Sequence, residues 1–297
     1  HMPSRRQRQM CIRDRYIMTA KIINDTNLIN PLKLKPNIKA ENLTKNVVGL
    51  NELNEKIEVD VVTEKPFTIF LNSQEIVTTM SLGDMPKELA VGYLLNQNML
   101  NKKDVIEEID YDDELDVVVI RTKRKTNYEK KLTKKIRTSG CAVGTVYGDM
   151  METFYDIKLN DDNFIKTSWM INISKKITEI PSLYIKAGAI HGCALCYKEN
   201  ILAYVEDVGR HNAVDKIAGW MFLNDINGRD KIFYTTGRLT SEMVIKTVQM
   251  EIPILLSRSG FTESGVSLAN EAKLSLIGRM KGKRFILLSG NHRVIYD

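Results

Sequence analysis

After residue 200 this chain sets the same arrangement down three times: a short apolar run, a turn of small and polar residues, then a helix pattern. The run at 201–205 precedes a helix pattern at 211–223, the run at 231–235 precedes one at 240–250, and the run at 252–257 precedes one at 264–273. Short apolar runs at 274–277 and 285–288 follow. Strands alternating with helices must cover a sheet with helices, which predicts an α/β layered domain with a mainly parallel sheet. Sheets of this kind bind ligands at the carboxyl ends of strands, where helix N-termini present unpaired amides. The three units share no internal sequence repeat.

The chain ahead of them reads differently. Residues 57–63 alternate apolar and polar, and 67–71 and 75–80 continue the strand pattern around Asn72-Ser73. Asp84 stands as the N-cap of a helix running to Leu100, with Pro86 in its first turn. Residues 104–116 hold eight acids, and residues 121–137 hold nine bases with one acid, separated by the apolar 117–120. These are either two solvated ends of a β-hairpin or a charged docking face. Helix patterns follow near 146–156 and 168–178, and 184–194 has the apolar texture of a strand. The expected organisation is a non-native tail over 1–17, a polar arm or strap over 18–55, a smaller β-rich subdomain over 56–137 and the α/β domain over 138–297.

Charge bears on the class of partner. The formal net charge is +6, which invites a nucleic-acid reading. Arg5, Arg6, Arg8, Arg13 and Arg15 against Asp14 account for +4 of it, in a stretch with no apolar periodicity behind a His1-Met2 tag remnant. The bases elsewhere are not interleaved with aromatics, so no nucleic acid is expected. No apolar run approaches the roughly 18 residues of a membrane span. Four cysteines are too few for a disulfide scaffold, and a reducing, cytoplasmic setting is expected.

The chemistry-bearing residues gather at the turns. The first runs from Glu206 to Lys216 and holds Asp207, Gly209, Arg210, His211, Asn212 and Asp215. Arg210 can clamp a phosphate or carboxylate, His211 can move a proton, and the acids can orient either. The alternative is a polar network that locks the turn. Gly237, Arg238, Ser241 and Glu242 lie at the second turn and Thr262 at the third. Arg279, Met280, Lys281, Gly282, Lys283 and Arg284 then place four cations around one glycine, as a ligand loop or a solvated hairpin. Together the turns suggest a nucleotide-like or pyrophosphate ligand, such as a GDP-like nucleotide.

Two cysteine sites remain. Cys141 sits in a loop between Gly140 and Gly144, shortly after Lys134, Lys135 and Arg137, and nearby positive charge favours the thiolate. Cys193 and Cys196 form a C-x-x-C pair two residues after His191, which suits a dithiol, half a zinc site or core packing. In a strand the two would point to opposite faces. A zinc deaminase would need H-x-E and a proline before the C-x-x-C, and both are missing.

These residues carry a resemblance. MPKELAVGYL at 85–94, the Cys141 loop, His191, EDVGRHNAVDK at 206–216, TGRLTSEMV at 236–244, Thr262 and GRMKGKR at 278–284 resemble, in order, the FdhD/NarQ family of formate dehydrogenase accessory sulfurtransferases. The resemblance implies a cytidine-deaminase-like fold with a smaller β-rich part, and a homodimer. It implies that a cysteine desulfurase supplies sulfur as a persulfide. The sulfur passes to a bis-guanylate molybdenum or tungsten cofactor, bound as substrate, for formate dehydrogenase. It places the persulfide on Cys141 and a cofactor-contacting loop at Arg279 to Arg284, and the rest of the cofactor is expected to settle over His191 and the turns. The sequence departs from the family's C-G-x-C-G loop at Ala142 and Gly144, so the second loop thiol is absent. Cys193 or Cys196 is then a candidate resolving thiol, and a cofactor-binding chaperone that moves no sulfur is the competing function.

Overall fold

The structure is a computed structural model and describes residues 32–124 and 147–297. Its first strands, β1 (Thr44–Leu50) and β2 (Lys56–Val62), form an antiparallel ribbon. The ribbon begins inside the stretch expected to be an arm. Ahead of it, Leu34 does act as a strap: Lys33 N donates to Leu202 O at 2.8 Å and Tyr204 N to Leu34 O at 2.9 Å.

A four-stranded sheet follows, built from β3 (Lys65–Leu71), β4 (Gln74–Ser81), β5 (Ile106–Asp112) and β6 (Val117–Thr122), with helix α1 (Pro86–Asn96) between β4 and β5. Alternation in β3 turns Phe67, Ile69 and Leu71 inward, where they meet Leu89, Val91 and Leu94 of α1. Asp84 does not cap α1. The cap position is Met85, in the left-handed conformation, and the Asp84 carboxylate pairs with Lys216 instead. A buried lysine needs a counter-charge more than a half-buried helix end needs a side-chain cap. The charged blocks meet across the β5–β6 hairpin as far as they are described: Arg121 pairs with Glu108 and Asp110, and Arg124 holds Asp104 by two bonds of 2.7 Å. The remaining bases, 125–137, lie outside the described residues.

The second half contains α2 (Tyr147–Asp156), β7 (Ile165–Lys166), α3 (Thr167–Glu179), α4 (Leu183–Ala187), β8 (His191–Tyr197), β9 (Asn200–Asp207), α5 (Arg210–Leu223), β10 (Ile232–Thr235), α6 (Ser241–Gln249), β11 (Ile254–Ser257), α7 (Glu263–Glu271), β12 (Ser275–Lys281), β13 (Arg284–Ser289) and β14 (Val294–Ile295). Six strands make one sheet in the order β13-β12-β11-β10-β8-β9. The three expected strand–helix units are present. The sheet is mixed, not mainly parallel: β10, β11 and β12 run parallel, and antiparallel hairpins close both edges. The apolar 184–194 stretch divides into α4 and the start of β8. Ser182 caps α4 by accepting from Tyr184 N at 3.0 Å, while the buried Glu206 accepts from Leu183 N at 2.8 Å.

One face of the sheet packs Phe233 and Leu255 against Val214, Ile217 and Met243 of α5 and α6; the other packs Ala194 and Leu256 against Met170 and Ile173 of α3. The β-rich part packs against the α/β part through its helix. Helix α1 crosses α5 so closely that a Cβ on Gly92 would lie 1.7 Å from Asp215 O, and one on Gly219 would lie 1.9 Å from Glu88 O.

Candidate functional site

The three turns stand side by side at the carboxyl ends of β9, β10 and β11. A Cβ on Gly237 would meet Arg210 Cβ at 3.2 Å, so the second turn lies against the first. Ser257 Oγ donates to Gly237 O at 2.7 Å, and Leu239 N donates to Gly260 O at 2.9 Å, joining the second turn to the third. His191 enters from the start of β8, where Gly192 N donates to Thr236 Oγ1 at 3.0 Å. Arg279 arrives from β12, its N–H donating to Ser259 O at 2.8 Å.

The 206–216 motif separates into a framework and a face. Asp207 is fully buried at the end of β9, and its carboxylate accepts from Ser81 Oγ (2.7 Å), Leu82 N (3.3 Å), Gly209 N (3.0 Å) and Asn212 Nδ2 (2.9 Å). Lys216 Nζ lies 2.6 Å from the same group and also pairs with Asp84. Burial would raise the Asp207 carboxyl; Lys216 and these donors outweigh it and hold it below the usual carboxylate range. Lys216 is held above its ordinary value, its two carboxylates outweighing burial. Asp215 is likewise enclosed, accepting from Lys246 Nζ at 2.8 Å and Asn96 Nδ2 at 2.6 Å. Asp207, Asn212, Asp215 and Lys216, expected to touch a ligand, therefore shape the turn and tie it to the β4–α1 connection.

The face is made of His191, Arg210, His211, Arg238, Thr240, Ser241 and Glu242. His191 is held below its ordinary value by burial and then by Arg210, His211 and Arg238. His211 is also lowered, chiefly by burial, although Glu242 opposes the shift. Its Nε2 lies 2.9 Å from Glu242 Oε2 in a poorly aligned contact, and His211 Nδ1 and Glu242 Oε1 are buried without a hydrogen-bond partner. Burial would raise Glu242, but His211, Lys246 and Arg210 hold it low. The N-caps of α5 and α6, Gly209 and Thr240, make no side-chain cap bond, and Thr240 Oγ1 is buried without a partner. Thr262 behaves differently: it caps α7 by accepting from Gly265 N at 3.2 Å. Two helix N-termini and several unsatisfied polar atoms thus face one place, a setting for an anionic, hydrogen-bonding ligand.

The 279–284 segment is a hairpin. Met280 is buried, Lys281 pairs in register with Arg284, and Gly282 turns at φ 60°. Arg279 lies beside the third turn and, with Lys281, Lys283 and Arg284, lines a concavity at the hairpin. Cys193 and Cys196 are buried on opposite faces of β8, in different cores. Burial pushes both thiols up to about 12, so neither is a ready nucleophile. Cys141 with Ala142, Gly144 and Thr145 lies outside the described residues. Among the described residues, no group of three or more His, Cys, Asp or Glu side chains converges as a metal site would require. Sequence reasoning missed Ser81, Asp84 and Asn96, which the β4–α1 region brings to the motif, and Lys246, which α6 brings; these ties are set by tertiary packing.

The ordered turns find their match in a family profile: residues 62–295 match that of the FdhD/NarQ family. The chain belongs to the FdhD/NarQ family. Curated FdhD relatives named sulfur carrier protein FdhD include one from Bacillus pumilus (strain SAFR-032), 27% identical over 236 residues, with 79% of this chain and 90% of the relative covered. Another, from Listeria monocytogenes serovar 1/2a (strain ATCC BAA-679 / EGD-e), is 29% identical over 259 residues and covers 81% of this chain and 93% of the relative. A crystal structure described as a formate dehydrogenase accessory protein from Desulfotalea psychrophila shares the fold, with a TM-score of 0.69 at 24% identity, covering 85% of this chain and 98% of that one. Among the described residues of this FdhD/NarQ chain, no helix is long and apolar enough to cross a membrane.

Proposed function

We propose that this protein is a sulfur carrier that takes persulfide sulfur from a cysteine desulfurase and passes it to a bis-guanylate molybdenum or tungsten cofactor, making formate dehydrogenase active. Membership of the FdhD/NarQ family supports this reading. The observation that carries it is the face around Arg210, His211, Arg238 and Thr240, where uncapped helix N-termini and buried unsatisfied polar atoms suit the pyrophosphate and nucleobase ends of such a substrate. Arg279 extends the positive charge of that face from the third turn. In the loading step the Cys141 thiolate attacks the outer sulfur of the donor persulfide, the donor S–S bond breaks, and the donor leaves as a thiolate. This loading step needs no external oxidant or reductant.

Related expectations belong to the same proposal: a cytidine-deaminase-like layering of the six-stranded sheet, a homodimer and a cytoplasmic location. Gly144, standing where the family has a second loop cysteine, favours one competing reading, a cofactor-binding chaperone that moves no sulfur. Incubation with desulfurase and cysteine, followed by mass spectrometry, separates the two. A carrier gains the mass of one sulfur atom on Cys141, and a Cys141→Ala variant folds, gains none and fails to activate formate dehydrogenase. Full activation by that variant sinks the carrier role.

A further inference from the structure

Three helices end against one cavity, at the end of the α/β layer opposite the turns. Helix α1 stops at Asn96, α5 at Leu223 and α6 at Gln249. Each closes with the same pair of backbone bonds: Asn98 N to Leu95 O and Met99 N to Leu94 O, Asp225 N to Phe222 O and Ile226 N to Met221 O, Glu251 N to Val248 O and Ile252 N to Thr247 O. This closure places the residue after the cap in the left-handed region, where glycine is favoured. Here Asn98, Asp225 and Glu251 occupy it, at φ 55°, 53° and 59°. All three line a cavity of about 830 Å³, a volume suited to a small molecule.

Carboxylates outnumber cations around the cavity. Helix C-termini concentrate negative potential. Lys102 and Arg229 line it too, but both are engaged with Glu251, at 2.6 and 3.0 Å. Asp156 and Asp225 have no cation beside them among the described residues. The independent observation is Gln249. Its side chain lines the cavity, the residue is only 9% exposed, and its Nε2 donates to Asn98 Oδ1 at 3.4 Å. Its Oε1 is buried with no donor at all. A buried acceptor without a donor is destabilising, and a turn of the Gln249 amide toward the cavity would let a ligand N–H satisfy it. Leu95, Ile157, Met221 and Phe222 supply an apolar wall.

We infer that this cavity binds a small organic cation, an ammonium or guanidinium head on an apolar stem. The head donates to Gln249 Oε1 and the Asp225 carboxylate, and the stem lies along Met221 and Phe222. The site is distinct from the turn cluster. Helix α5 starts there and ends here, and its 14 residues span about 21 Å.

The test is isothermal titration of the full chain with agmatine, hexylamine, hexanoate and an arginine-containing peptide. The two free cations are expected to bind saturably, and hexanoate at least tenfold more weakly. Asp225→Gly removes the carboxylate and relieves a left-handed side chain. Gln249→Leu replaces an unsatisfied amide with an apolar group of similar size. Both variants are expected to keep or raise Tm while weakening cation binding at least fivefold. Failure of both free cations to bind, whether or not the peptide binds, overturns the inference. So does hexanoate binding as tightly as hexylamine, or affinity unchanged in either variant.

Discussion

Replacing Gly92 with alanine sets a local preference against a tertiary one. Gly92 lies in the middle of α1, and alanine is the better helix former by about 1 kcal/mol, so propensity alone expects a stabler protein. The crossing with α5 expects the reverse. An alanine Cβ would lie 1.7 Å from Asp215 O and 2.7 Å from Gly219 N, below the 3.0 Å that real Cβ contacts respect. Both obstacles are backbone, so no side chain can rotate away, and the helices must part by roughly an ångström. Overpacking a core costs about 1–3 kcal/mol, and parting these helices also strains the Asn96–Asp215–Lys246 bonds. With a cost at the upper end of that range set against about 1 kcal/mol of propensity, a net loss of about 2 kcal/mol is expected. Urea unfolding followed by tryptophan fluorescence measures it as a lower midpoint at unchanged slope. Gly219→Ala should cost a similar amount, and the double variant less than the sum, because the crossing opens only once. A Gly92→Ala midpoint equal to or above the parent's refutes the reasoning.

Three further outcomes follow from the same geometry. Lys216→Met strands the buried Asp207 carboxylate and the partly buried Asp84 and should cost about 3–5 kcal/mol; adding Asp207→Asn should recover part of it, and an unmoved midpoint in the single variant would show that the cluster is not held by charge. His191 and His211 are both lowered by burial, so the unfolded chain binds more protons than the folded one as pH falls through about 6.5. Stability should then fall between about pH 7.5 and 5.5 with a slope of at most about 1.4 kcal/mol per pH unit per histidine, and a His191→Gln/His211→Gln variant with the parent's slope would count against this. Cys193 and Cys196, with thiols pushed up to about 12, should resist iodoacetamide at neutral pH until the protein unfolds; labelling of either at the rate of a small free thiol contradicts their burial.

The alternation after residue 200 was legible because helix and strand periods are local properties, and so were the three turns, whose glycines and hydroxyls mark strand-to-helix junctions wherever they occur. Two edge hairpins made the sheet mixed. That was less legible, because strand direction depends on connections and not on the apolar pattern. The motif from Glu206 to Lys216 shows the same boundary inside one segment. Its composition announced a polar turn, yet nothing local separates Arg210 and His211, which face the site, from Asp215 and Lys216, which are sealed beneath it. The close approach of α1 made that division. It brought Asp84 and Asn96, over a hundred residues away in sequence, against the inner side of α5, and charges enclosed there must satisfy one another. The cavity at the other end of the layer had no sequence signature, since its wall is assembled from the last residues of separate helices. By itself the sequence determined which elements form and which turns are chemically equipped. Tertiary packing decided which of those side chains face solvent, because burial is a property of neighbours that chain order does not name.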